Sequence, residues 1–146
     1  MLRTKRFGFV ALAFVFVGGF VLGSVGSPTE VVRAQSGTVY ELRTYTAPAG
    51  KLDALQSRFR DHTLRIFGRH GMKNVGYWVP ADAPLSDNTL IYILEHKSRD
   101  AAKKSWDDFR ADPEWQKVYE ESQRDGRLTS NVESVFMTAT DFSPLK

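Results

Sequence analysis

Between Thr38 and Thr46 the residues Thr-Val-Tyr-Glu-Leu-Arg-Thr-Tyr-Thr alternate and are rich in β-branched and aromatic types, which predicts a strand. Ala47-Pro48-Ala49-Gly50 reads as a turn. From Lys51 to His70 the period changes. Leu52, Leu55, Phe59, Thr63, Ile66 and Phe67 recur at helical spacing and predict an amphipathic helix. Gly71 follows as its C′ residue, where a left-handed backbone costs a glycine nothing. Met72 to Pro80 predicts a second strand, stopped by the proline, and a polar loop from Ala81 to Asn88 leads to a third, Thr89 to Lys97. Ser98 can cap the next helix, with Asp100 in its first turn and Ala102, Trp106 and Phe109 as its buried stripe. Asp112-Pro113-Glu114 restarts the chain as N-cap, N1 proline and first-turn acid. Trp115, Val118, Tyr119 and Ser122 give this shorter helix its inner face. Gly126 ends it, and Val132 to Thr140 predicts a last strand. The order β-α-β-β-α-α-β belongs to an α+β domain: a ferredoxin-like, four-stranded antiparallel sheet with helices on one face.

Residues 1–34 follow a different pattern. Arg3, Lys5 and Arg6 precede an apolar run from Phe7 to Val25, then Ser27-Pro28, then Val32-Arg33-Ala34 before Gln35. Small, uncharged residues at the −3 and −1 positions suit a signal peptidase, so residues 1–34 read as a signal peptide and 35–146 as the mature domain. If uncleaved, the run becomes an N-terminal anchor, since its length approaches a bilayer span. Either way the chain is expected outside the cytoplasm, periplasmic or secreted, with a membrane contact only where the leader is retained.

Charge divides along the same line. The leader holds four basic residues and one acid, which accounts for the whole net charge of +3; residues 35–146 hold 16 of each sign. A neutral domain lacks the basic excess that phosphate recognition needs, so nucleic acid is not an expected partner. There is no cysteine, which excludes disulfides, thiolate chemistry and Cys-ligated metal.

Helices cover one side of such a sheet, yet strand three is apolar on both, with Ile91 and Ile93 alternating with Tyr92 and Leu94. The second cover is most simply another copy of the chain, in a homodimer with two sheets face to face. Tyr40, Leu42 and Thr44 share one side of strand one; Val39, Glu41, Arg43 and Tyr45 share the other, expected to be the side away from the helices. There Glu41, Arg43 and Tyr45 can converge on a small apolar ligand, or form an internal ion pair that solves a burial problem. His62, mid-helix, is a candidate proton carrier or axial ligand at the cavity mouth, and Trp78 a candidate lining residue. His70 lies eight residues beyond His62, and His96 ends strand three. Their spacing matches no metal motif, so neither a metal site nor a cofactor is expected. Nucleophile elbows, phosphate loops and dinucleotide fingerprints are absent from the sequence.

Five motifs stand in order: Val39-Tyr40-Glu41-Leu42-Arg43-Thr44-Tyr45, Gly50-Lys51-Leu52, Arg69-His70-Gly71-Met72 running into Val75-Gly76-Tyr77-Trp78, Phe109-Arg110-Ala111-Asp112-Pro113-Glu114-Trp115, and Asp141-Phe142-Ser143-Pro144-Leu145. Together they resemble a NIPSNAP-family domain over residues 38–145. The resemblance implies a ferredoxin-like subunit of the dimeric α/β-barrel superfamily. Two functions follow as expectations: an exported homodimeric domain that binds a small ligand or is otherwise non-catalytic, or a cofactor-free monooxygenase or isomerase acting on a small apolar or aromatic substrate in the barrel cavity. The second rests on analogy with other families of that superfamily, and a fold by itself does not specify a function.

Overall fold

Strands β1 (Val39–Thr46) and β3 (Thr89–His96) pair antiparallel at the centre of a four-stranded sheet, with β2 (Lys73–Trp78) and β4 (Asn131–Met137) on its edges in the order β2-β3-β1-β4. The computed structural model describes residues 37–145. The signal peptide and cleavage point expected from the sequence lie outside those residues. Helices α1 (Leu52–Arg58), α2 (Leu64–Arg69), α3 (Arg99–Ala111) and α4 (Pro113–Ser122) complete the expected order. Among the described residues no helix is long and apolar enough to cross a membrane.

The first helix departs from the uniform element its periodicity predicts. Between α1 and α2 the segment Phe59–Thr63 is π-helical, and the Leu64 N–H reaches back to the Phe59 carbonyl. Thr63 donates its hydroxyl to the Arg58 carbonyl at 3.1 Å, supporting the widened turn. The extra residue leaves Leu55, Phe59, Ile66 and Phe67 all buried, so the inner face continues through the irregularity. Gly71, at φ +77°, takes the left-handed position after the helix that other residues adopt at a cost.

The core is a chain of rings between helices and sheet. Phe59 meets Tyr45, Tyr92 and Tyr77 at 5.7, 5.2 and 5.9 Å, and Phe67 meets Trp106 and Phe109 at 5.3 and 4.8 Å. Mostly tilted or edge-on, these pairs add to what burial alone provides. They also settle which side of the sheet is which. In the β1–β3 register Glu41 faces Leu94, Arg43 faces Tyr92 and Tyr45 faces Leu90, so all three share the ring-packed, helix-covered side. The expectation that Glu41, Arg43 and Tyr45 lie on the side away from the helices is therefore corrected. Alternation says which residues share a face; it does not say which face the helices meet. Here two charges lie under the helices because they are paired there.

The side that none of the described helices covers carries Leu42, Thr44, Ile91 and Ile93, with Trp78 and Val135 from the edge strands. Trp78 is 49% exposed and Val135 54%. A Cβ on Gly76 would stand 2.5 Å from the Trp78 ring, so this glycine lets the indole lie across its own strand.

Candidate functional site

Glu41 is 1% exposed, and four side chains converge on its carboxylate. Arg43 Nη1 donates to Oε1 at 2.7 Å and Ser134 Oγ at 2.6 Å. On Oε2, Trp106 Nε1 donates at 2.7 Å, and His96 Nε2 stands at 3.0 Å. Strand β1 supplies the acid and Arg43, β3 supplies His96, β4 supplies Ser134 and α3 supplies Trp106. Burial pushes the Glu41 carboxyl up, but the hydrogen bonds from His96, Ser134, Trp106 and Arg43 outweigh it and hold the group at about 2. Glu41 is thus a carboxylate at neutral pH, so His96 Nε2 carries the shared hydrogen, and the buried Nδ1 has no hydrogen-bond partner among the described residues.

Arg43 lies with its guanidinium 4.3 Å from the centre of a Trp106 ring, touches Tyr45 Oη at 3.4 Å, and keeps its buried Nε without an acceptor. Beside this cluster a cleft of about 490 Å³ opens between β4 and α3. Arg43, Trp106 and Glu41 form part of its wall, Phe136 comes from β4, and Arg99 and Lys103 come from α3. Lys103 is paired with Asp107 at 2.8 Å. Arg99 sits 3.5 Å over the Phe136 ring, and among the described residues no carboxylate pairs with it. Capping explains its position: Ser98 Oγ accepts from the Ala101 N–H at 3.0 Å, which fixes the first turn of α3 and Arg99 in it.

The five residues singled out from the sequence do not form one pocket. Glu41, Arg43 and Tyr45 are together under the helices. Trp78 lies on the opposite side of the sheet, and His62 is exposed on the π turn, where it borders a different groove. His96, Ser134, Arg99 and Phe136 complete the site and were not evident from spacing. The alternation of Tyr92, Leu94 and His96 puts this histidine on one face with Glu41 only once the β1–β3 register is known. His70, the third histidine, bonds Asp112 at 2.6 Å. Among the described residues no three His, Asp or Glu side chains come together in a way that could hold a metal ion.

An α+β domain with this strand order and its described helices on one side of the sheet has the fold of the dimeric α/β-barrel proteins. The NIPSNAP family model matches residues 40–144, and the chain belongs to that family. A NIPSNAP family protein with unknown function from Agrobacterium tumefaciens is 28% identical, with a TM-score of 0.66 over 77% of this chain and 96% of that one. An uncharacterized NIPSNAP-like domain protein from Burkholderia xenovorans is 17% identical, with a TM-score of 0.65 over 75% and 90% of the two chains. The fold is also similar to that of a monooxygenase from Streptomyces coelicolor solved with the ligand nanaomycin D, at 17% identity and a TM-score of 0.50 over 72% and 88%. No curated protein matches the chain.

Proposed function

We propose that this NIPSNAP domain is an exported, homodimeric binding protein that takes a small organic anion with a flat apolar body into the cleft between β4 and α3. One observation carries the reading. Two arginine–aromatic stacks, Arg43 on Trp106 and Arg99 on Phe136, line one cleft, and only Arg43 is paired with a carboxylate. A guanidinium resting on a ring edges toward bidentate recognition of a ligand carboxylate, while the rings accept its apolar body. The small apolar ligand expected from the sequence becomes, in this reading, an aromatic acid.

The catalytic alternative, cofactor-free oxidation or isomerisation of an apolar or aromatic substrate, asks for a base in the cleft. Among the described residues the acids of its wall are Asp100, which is exposed to water, and Glu41, whose carboxyl, held at about 2 with both oxygens occupied, is a weak proton acceptor. The similarity to the monooxygenase concerns the fold and lends no residue to that role.

Titration of the protein with 2-naphthoate and 2-naphthamide, read by tryptophan fluorescence, tests the binding reading. The acid should bind and the amide should be weaker by on the order of tenfold, with Arg99→Ala removing that preference. Equal binding of acid and amide would return the cleft to an apolar ligand and sink the anion. Export and self-association are part of the same proposal, supported by the leader pattern and by the uncovered sheet. The native mass of protein purified from its own host tests both, since the proposal requires twice the mass of residues 35–146.

A further inference from the structure

A second groove, of about 360 Å³, lies on the outer side of the molecule between the π turn and α4, away from the β4–α3 cleft. Its charged groups are unusual. Arg58 is 6% exposed and among the described residues has no carboxylate partner; its one side-chain hydrogen bond there runs from Nη1 to Ser122 Oγ at 3.3 Å, and its buried Nε has no acceptor. The guanidinium lies against two neighbouring rings of α4, 5.3 Å from Trp115 and 5.8 Å from Tyr119. Desolvation disfavours its charge, so the arrangement is costly as it stands. Three residues along, Asp61 lines the same groove without reaching Arg58, and has no hydrogen-bond or ion-pair partner among the described residues. From the facing wall Glu121 contributes a second carboxylate, whose contact with Arg124 is a loose 3.8 Å. Val118 and Leu128, both buried, give the groove an apolar floor.

A buried cation with unused donors, two carboxylates at the rim and an aliphatic floor are complementary to one chemical class. We infer that this groove binds a small aliphatic α-amino acid or a zwitterion of that shape. Its carboxylate would take the free donors of Arg58, its ammonium would sit between Asp61 and Glu121, and its side chain would cover Val118 and Leu128. A dianion such as phosphate fits less well, because the two acids would repel it. The π turn has a part in this: it is the break in helical regularity at which Arg58 points to α4 while Asp61 and His62 stay at the rim, and such breaks recur at functional sites.

Calorimetric titration of the full chain with three matched probes tests the assignment: L-valine, isovalerate (the same body without the ammonium) and isobutylamine (without the carboxylate). L-Valine should bind, with each analogue weaker by on the order of tenfold or more. Asp61→Asn, an exposed change that leaves the fold intact, should bring valine down toward isovalerate. Arg58→Met should abolish valine binding; if that variant does not fold, the analogues and Asp61→Asn decide alone. Isovalerate binding as tightly as valine, no probe binding, or valine binding untouched by Asp61→Asn would each overturn the inference. None of these outcomes depends on the naphthoate result.

Discussion

Glu41 holds together side chains from four separate elements, so its removal is felt well beyond one residue. In Glu41→Gln the Arg43 guanidinium loses the one carboxylate that pairs with it among the described residues while staying mostly buried, and breaking such a pair costs about 3 kcal/mol. The same group links stability to pH. Its carboxyl is lowered from 4.5 unfolded to about 2 folded, so its contribution is complete above pH 4.5 and disappears as the pH falls toward 2. At 1% exposure little solvent screening applies, and the loss amounts to about 3 kcal/mol. Urea midpoints at pH 7, 4 and 3 should show a steep acid slope in the wild type and a shallower one in Glu41→Gln. Some slope should persist in the variant, because Asp112 is also held below its usual range. A variant that kept the full slope would show that Glu41 is not the group responsible.

At the scale of elements, the junction of α3 and α4 turns on one side chain, Asp112. Asp112 Oδ1 accepts from the N–H groups of Glu114 and Trp115 at 2.8 and 3.2 Å, while Oδ2 takes Arg69 and His70 from the end of α2. One side chain therefore starts α4 and ties it to α2. Burial raises the Asp112 carboxyl, but His70, Arg69 and the two backbone N–H groups draw it well down. Asp112→Ala should cost about 2 kcal/mol in thermal unfolding, the upper end for a lost cap; Asp112→Asn, which keeps the cap oxygen, should cost about half. Equal losses in the two variants would mean that the tie to α2, not the cap, is what matters. This junction was legible in Asp112-Pro113-Glu114 because capping is local chemistry. So was the element order, since periods of two and of three to four residues separate strands from helices. The site was less legible. Glu41, Arg43 and Tyr45 share a face by alternation alone, but which face the helices meet depends on Phe59 packing on Tyr45 and Tyr92, contacts that join residues far apart in sequence. A regular helix from Lys51 to His70 predicts His62 at a cavity mouth; the π turn on which it borders another groove has no local signature in Phe59-Arg60-Asp61-His62-Thr63.

For the whole molecule, the decisive surface is the side of the sheet without helices. Leu42, Ile91 and Ile93 lie at its centre, with Trp78 and Val135 about half exposed toward its edges. An apolar sheet face of this kind costs free energy in water, at roughly 25 cal/mol for each Å² left uncovered, and a facing copy removes that cost for both chains at once. A domain without disulfides gains further from such association, because folding is then coupled to it. Trp78 and Val135 allow a clean test, since both are exposed in the single chain and neither belongs to the ring-packed core. Trp78→Arg combined with Val135→Asp should keep the far-ultraviolet dichroism of the fold, yet shift the native mass from two chains to one. The unfolding temperature should drop and lose its dependence on protein concentration. A wild-type protein that is already a single chain at every concentration would remove self-association from the proposal. It would leave both clefts as they are, since each is lined by residues of one chain, and the apolar face would then await a partner of another kind.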